Sequence, residues 1–169
     1  MSKKDNRLKN FFYLFTFLIA IWLTLTTTFQ WQELSVGIFI SLVLALFLNK
    51  NYLKLGLPPI SIKRIIFFIL YISVLFIEIV KANLDVAYRI IHPKMPIKPG
   101  IVIIKTKLKQ DIAKTILANS ITLTPGTFTL DIKGDELLIH WIYVHSENKK
   151  EATRIIGQKF EKYLKVVFG

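Results

Sequence analysis

Few side chains in this sequence of 169 residues have the types and spacing that catalysis requires. The histidines are His92, His140 and His145, and no two of them have the spacing of metal ligands on one helix. There are no cysteines, which excludes disulfides, thiolate metal sites and cysteine nucleophiles. No glycine-rich phosphate loop, catalytic triad or carboxylate pair stands out. The sequence therefore predicts no metal, no cofactor and no enzymatic activity of the chain by itself.

The most unusual ionisable residue is Glu78, which follows the charge-free, largely apolar run 65–77. A charge near membrane depth costs free energy, so Glu78 is a candidate functional residue. Alternatively, Glu78 begins a polar helix face and pairs with Lys81, three residues later. Asp85 and Arg89 follow at i and i+4, which predicts an interfacial stripe of ion pairs along the same face.

A second unusual segment is the run 117–127, in which hydroxyl and amide side chains alternate with apolar ones. Pro125-Gly126 is typical of a type II turn, in which Gly126 would need a positive φ angle. The hydroxyls could satisfy backbone groups at a helix end. Equally, the segment could dock on a neighbouring subunit. The candidate docking residues are Asn119, Thr122, Thr124, Pro125, Gly126 and Thr127.

The first half of the chain has the composition of membrane helices. Residues 11–29 and 34–48 hold no charged side chain, and a short polar break with Trp31 separates them. These lengths and compositions predict two membrane spans in a tight hairpin. A signal peptide is the weaker interpretation, because no cleavage motif follows and a second apolar segment comes at once. Gly56, Pro58 and Pro59 then predict the turn that follows the hairpin.

Charge placement predicts the orientation of the hairpin and leaves the third helix, 62–91, open. Basic residues flank both open ends of the hairpin, which places the N-terminus and loop 49–64 in the cytoplasm; they are Lys3, Lys4, Arg7, Lys9, Lys50, Lys54, Lys63 and Arg64. If helix 62–91 crosses the membrane, the C-terminal domain lies outside, against its own basic composition. If the helix is interfacial, the domain is cytoplasmic. We favour a membrane-embedded third helix whose polar end emerges in the cytoplasm and which need not cross completely, in a multi-pass protein of the cell membrane.

Pro93, Pro96 and Pro99 predict an extended linker at 93–100, which separates a transmembrane region, 1–92, from a cytoplasmic domain, 101–169. Hydrophobic periodicity within that domain predicts the order β-α-β-β-α, a small α/β domain with a three-stranded mixed sheet and helices on one face. The predicted elements are strand 101–106, helix 111–120, strand 127–132, strand 137–144 and helix 149–168.

Two further features of this domain can be read from the pattern. Strict alternation in strand 127–132 places Phe128, Leu130 and Ile132 on one side. Strand 137–144 is apolar on both faces apart from His140. Two helices cover only one face of such a sheet, so the second face needs a partner or the membrane.

Several motifs between residues 78 and 144 resemble a known family, the E subunit (MrpE, or MnhE) of multisubunit Mrp-type Na⁺/H⁺ antiporters. The matching segments are ANLDVAYR at 82–89, HPK at 92–94, PIKPGIV at 96–102, LANSITLTPGT at 117–127, FTLDI at 128–132 and HWI at 140–142. The N-terminal apolar hairpin is compatible with this family.

The resemblance implies a non-catalytic membrane subunit of a monovalent cation (Na⁺)/proton antiporter, which supports assembly and ion transport. Its partners would be the other membrane subunits and the lipid bilayer, with no nucleic acid. The same resemblance allows an alternative, the homologous subunit of an archaeal membrane-bound hydrogenase or related ferredoxin-linked complex. A third hypothesis, from another class, is a free-standing membrane-anchored binding module.

Overall fold

The computed structural model describes residues 3–26, 30–54, 58 and 61–169. The chain divides into two compact units, Met1–Ser61 and Ile62–Gly169. Three helices of the described residues are long and apolar enough to cross a membrane, with spans Leu8–Thr26, Trp31–Asn49 and Ile62–Ile91. The predicted set of three apolar helices before a small α/β domain is therefore confirmed.

The first unit is a pair of helices, α1 (Lys3–Thr26) and α2 (Trp31–Lys54). Both extend beyond the charge-free predictions, because polar and basic residues can continue a helix past the apolar span. The predicted end of the first helix, 27–29, and the predicted turn residues Gly56 and Pro59 lie outside the described residues.

The two helices meet through small side chains of α2. Gly37, Ser41 and Ala45 are buried at a spacing of four residues. The ring of Trp22 lies over Gly37, where a β-carbon would come within 2.5 Å of its Nε1. The same Nε1 donates a hydrogen bond to the carbonyl oxygen of Glu33, at 3.1 Å. Small residues at this spacing allow helix backbones to approach closely in a membrane.

The second unit begins with helix α3 (Ile62–Ile91), whose bounds agree with the predicted helix. The domain that follows has the predicted order of elements. Its last helix is continuous, and a π-helical segment, Thr153–Gly157, divides it into the two parts that we call α5 and α6. The other elements are β1 (Gly100–Lys105), α4 (Asp111–Leu123), β2 (Thr127–Lys133), β3 (Glu136–Trp141), α5 (Lys149–Ala152) and α6 (Gln158–Phe168).

The sheet is antiparallel throughout, with strand order β1-β3-β2, so the prediction of a mixed sheet is wrong. Helix α4 returns the chain so that β1 and β2 run in the same direction, as a β-α-β unit suggests. However, β3 lies between them and pairs antiparallel with both. The hairpin turn that joins β2 to β3 accounts for the pairing of these two strands, and β1 pairs with the other edge of β3.

The predicted strict alternation in β2 is also wrong. The pairing of β2 with β3 shifts register between Thr129 and Asp131, which is a β-bulge. The extra residue of a bulge makes the side chains beyond it point to the opposite face of the sheet from the one that strict alternation predicts. Phe128 and Leu130 consequently lie exposed, whereas Ile132 packs against the core.

The core lies between the sheet and helices α4 to α6, and α3 contributes to it. Tyr71 is buried in this cluster and Leu75 packs against it. The opposite face of the sheet exposes large apolar side chains, as the sequence predicts; they are Ile101, Ile103, Phe128 and Leu130. By contacts, α3 belongs to the same compact unit as residues 100–169. The domain boundary that the sequence places at 93–100 stays a prediction.

Candidate functional site

The polar residues of α3 that the sequence singles out lie on or beside one face of the helix, which contacts the C-terminal domain. Along this face the less exposed residues recur every three, four or seven positions, as one face of an α-helix requires. We call it the docking face, and define it by Arg64, Tyr71, Leu75, Glu78, Ala82 and Arg89. Its main counterpart in the domain is α6, with contributions from α4 and from the segment after β3.

At the N-terminal half of α3, two hydrogen bonds join the docking face to the domain. Arg64 Nη2 donates to the carbonyl oxygen of Gly169, at 2.8 Å. The hydroxyl of Tyr71 bonds the hydroxyl of Ser120 on α4. Because Ser120 Oγ donates to the carbonyl oxygen of Ile116 at 2.6 Å, Tyr71 is the donor of the pair. Both buried hydroxyls therefore have partners, as burial requires.

Glu78 makes two ion pairs from the middle of the docking face. Oε1 lies 3.2 Å from Lys81 Nζ, the partner that helical spacing predicts. Oε2 lies 2.7 Å from Lys159 Nζ on α6, a residue 81 positions later in the chain. The Glu78 side chain is 21% exposed and that of Lys159 is 31% exposed. This carboxylate thus joins α3 to α6.

Near the C-terminal end of α3, Arg89 binds three different segments. Its Nε lies 2.7 Å from Asp85 Oδ2 and its Nη2 lies 3.1 Å from Asp85 Oδ1, a bidentate pair. Nη1 donates to the carbonyl oxygen of Pro96, at 2.7 Å. The guanidinium also lies 4.4 Å from the ring centroid of Tyr143, within range of a cation–π interaction. With its side chain only 12% exposed, Arg89 holds the helix end, the proline-rich segment and the segment after β3 together.

The threonine-rich run forms the predicted type II turn. Gly126 has φ +89°, and Thr127 N donates to the carbonyl oxygen of Thr124 at 3.2 Å. A β-carbon on Gly126 would lie 2.9 Å from Ile142 Cγ2 and 3.6 Å from Val86 Cγ2. The turn therefore lies close to both α3 and the segment after β3.

The hydroxyls of this run satisfy backbone groups around the end of α4. Thr124 Oγ1 donates to the carbonyl oxygen of Ser120 at 2.8 Å, and Thr127 Oγ1 donates to that of Ile121 at 2.6 Å. Thr122 Oγ1 accepts from Thr129 N at 3.2 Å. These contacts support the structural interpretation of the threonines. Asn119 and Thr122 are exposed, Thr124 is buried, and Pro125, Gly126 and Thr127 are half-buried.

Outside α3, a cluster of ion pairs joins β3 to α5. Lys149 Nζ lies 2.5 Å from Glu136 Oε1, and Lys105 Nζ lies 3.5 Å from the same atom. The hydrogen bond from Lys149, assisted by Lys105, lowers the pKa of Glu136. Within the described ranges, no group of three histidine or carboxylate side chains is placed to hold a metal ion.

The spacing of Glu78, Lys81, Asp85 and Arg89 predicts one polar stripe but does not indicate what the stripe contacts. The role of Lys159 was not predicted, because its helix has the pattern of an ordinary amphipathic helix, on which a lysine is expected to face solvent. The Tyr71–Ser120 pair was missed as well. A tyrosine within an apolar run is a weak signal for such a contact, because its hydroxyl usually finds a partner when buried.

Comparison with known proteins identifies the family. A family model described as Na⁺/H⁺ ion antiporter subunit matches residues 15–167. The E subunit of the Na⁺/H⁺ antiporter of Alkalihalophilus pseudofirmus is 40% identical over 130 residues, 75% of each chain. The E1 subunit of the Na⁺/H⁺ antiporter of Staphylococcus aureus is 33% identical over 152 residues, 89% of this chain and 93% of the relative.

A solved structure is also similar. A chain in the structure of the membrane-bound sulfane sulfur reductase, an archaeal respiratory membrane complex, superposes with a TM-score of 0.77 at 46% identity. The match covers 95% of this chain and 99% of that chain. With the family model matching nearly the whole sequence, the resemblance is confirmed: the chain belongs to the family of E subunits of Na⁺/H⁺ antiporters.

Proposed function

We propose that this chain is a non-catalytic membrane subunit of a multisubunit monovalent cation/proton antiporter, in which it supports assembly and ion transport. The observation that carries the proposal is the family match across residues 15–167. The use of the ionisable residues agrees with it. Glu78, Asp85 and Arg89 bind other parts of the same unit, which is a structural rather than a catalytic use.

The experiment that tests this function is affinity purification of the tagged chain after mild detergent extraction, followed by mass spectrometry. We expect large antiporter-type membrane subunits to co-purify. We also expect everted membrane vesicles from cells without the chain to lose cation/proton exchange, and expression of the chain to restore it. Purification of the chain without partners would support the free-standing binding module instead.

A second candidate function is the same role within a redox-driven complex. The specific observation in its favour is the similarity to a chain of an archaeal respiratory complex, at 46% identity over 95% of this chain. The same purification separates the two candidates, because redox subunits would accompany the antiporter-type subunits. In that case ion movement would depend on a reductant.

We further propose that the N-terminus and the C-terminal domain are cytoplasmic, from the basic residues that flank the first two helices. Because the chain has no cysteines, single cysteines can be introduced without background. A cysteine at Ser2 or Asn51 should resist an impermeant thiol reagent in intact cells, and one at Gln32 should react. Labelling at Ser2 from outside would contradict the orientation.

The docking role of the threonine-rich run is also a proposal. Asn119 and Thr122 are exposed, and Leu123 beside them is 58% exposed, so this edge is available to a neighbouring subunit. Asn119→Ala with Leu123→Ala should weaken assembly of the complex while the purified chain keeps its melting temperature. Thr124→Val is the contrasting variant, since it removes a hydrogen bond inside the domain and should lower the melting temperature of the chain.

A further inference from the structure

Helix α3 has a second face, opposite the docking face, that no described part of its own unit covers. Its apolar side chains recur every three or four residues and are between 44% and 67% exposed. We call this the free face, and define it by Ile65, Ile69, Ile72, Phe76, Val80 and Leu84. None of the charged residues of α3 occupies these positions.

Polar side chains between the free-face positions are satisfied within the helix itself. Ser73 Oγ donates to the carbonyl oxygen of Ile69, at 3.0 Å. Asn83 Nδ2 donates to the carbonyl oxygen of Ile79, at 2.8 Å. Polar groups that face hydrocarbon need such internal partners, because lipid offers none. The free face is therefore compatible with lipid along its length.

The domain accompanies α3 over almost its whole length. Contacts with the domain and the segment before it begin at Arg64, which reaches Gly169, and end at Arg89, which reaches Pro96 and Tyr143. At 1.5 Å per residue this distance is about 38 Å, longer than a hydrocarbon core of about 30 Å. A crossing α3 would thus carry the adjacent α6 to membrane depth.

Helix α6 carries exposed charged side chains that do not fit the interior of the bilayer. Lys162 and Lys165 lie on it with solvent-accessible ends, and the Glu78–Lys159 ion pair would also lie within the bilayer. Charged side chains facing hydrocarbon are strongly unfavourable. The length and hydropathy of α3 allow a crossing, but the domain attached to its docking face does not.

We propose that α3 lies along the membrane surface, with its free face in the boundary between lipid headgroups and acyl chains and the domain on the water side. The partner of the free face is the bilayer, which this membrane protein already occupies. In the sequence, residues 55–61 separate α2 from α3. From Glu78 onward α3 has one apolar face and one charged face, which is the character of an interfacial helix.

The test uses single cysteines in the full chain, spin-labelled and reconstituted into vesicles of phosphatidylethanolamine and phosphatidylglycerol. The labelled positions are Ile65, Ile69, Phe76, Val80 and Leu84, with depth measured from the relative accessibility of the label to oxygen and to a water-soluble nickel complex. A surface helix gives similar, shallow depths at all five positions. A crossing helix gives its greatest depth in the middle of the series and much smaller depths at the ends.

A label at Lys162 is the matched control, because α6 runs beside α3 between Arg64 and Glu78. For a surface helix this label should be fully accessible to the nickel complex. Protection of Lys162 together with a depth maximum at Phe76 would overturn the proposal in favour of a crossing. Free-face labels that contact neither lipid nor water would overturn the bilayer as the occupant and indicate a protein partner.

Discussion

Two helix-packing contacts of this protein, one in each unit, are formed by different types of residue. In the first unit, α1 and α2 meet through Gly37, Ser41 and Ala45, with the Trp22 ring over the glycine. In the second unit, α3 meets its domain through a tyrosine–serine hydrogen bond, the Glu78–Lys159 ion pair and the contacts of Arg89. Small-residue packing is typical of helices in lipid, whereas partly exposed ion pairs are typical of water-facing surfaces.

This difference shows why similar hydropathy does not mean similar placement. All three helices satisfy the length and composition of a membrane span. In α3, the charged side chains of Glu78 and Arg89 bind residues outside the helix, in its own unit. The contrast favours the bilayer interior for α1 and α2 and the bilayer surface for α3. Substitutions in the packing contacts of each unit test this difference.

The largest effect is expected at the turn beside the docking face. Gly126→Val introduces a branched side chain at φ +89° and a β-carbon 2.9 Å from Ile142 Cγ2. Strain and overpacking together should cost about 2–5 kcal/mol of unfolding free energy. The measurement is thermal unfolding of the chain in mild detergent. Gly134→Val is the control, because Gly134 has φ +60° but no atom within 4 Å of its β-carbon position, so only the strain term should remain.

The next largest effect is expected in the small-residue packing between α1 and α2. Gly37→Val would force the Trp22 ring away and break its hydrogen bond to the carbonyl oxygen of Glu33. We expect a loss of about 1–3 kcal/mol in the association of α1 with α2. Unfolding in a series of SDS concentrations would measure it. Val36→Ile, at a neighbouring position that is 49% exposed, should leave the transition unchanged.

Arg89→Lys should have a smaller but clear effect on the second unit. Lysine keeps the charge but loses the bidentate geometry to Asp85 and the planar contact with Tyr143. A loss of about 1–2 kcal/mol is expected in the same thermal assay. Lys81→Arg is the comparison, since the Lys81 side chain is 67% exposed and its change should be near neutral. An equally stable Arg89→Lys variant would contradict the assigned role.

The smallest effect concerns pH. The Glu136 carboxylate has a lowered pKa, first because of the hydrogen bond from Lys149. A pKa lowered by folding stabilises the fold above the ordinary value of 4.5, and this contribution is lost as pH falls through the folded-state pKa. Glu136→Gln should therefore be less stable than the parent at neutral pH and converge with it in acid. Thermal unfolding of the parent and the variant at a series of pH values measures this difference.

Local features of this protein were predictable from sequence, and pairings between distant segments were not. The bounds of α3 and the turn at Pro125-Gly126 depend on neighbouring residues, so periodicity and turn chemistry predicted them. Three other features depend on tertiary packing: the position of β3 between β1 and β2, the bulge after Thr129, and the ion pair of Lys159 with Glu78. The pattern of α3 indicated a polar stripe but could not name its partner.

The central claim is that the charges of α3 act through packing rather than through ion transfer, and a charge exchange at Glu78 and Lys159 tests it most directly. Glu78→Lys alone should lower assembly of the complex and cation/proton exchange in everted vesicles, because the new ammonium group then faces those of Lys81 and Lys159. Combining it with Lys159→Glu restores the ion pair in reverse and should restore both assembly and exchange. If assembly returns but exchange stays lost, the carboxylate at position 78 itself takes part in transport, and the claim is wrong.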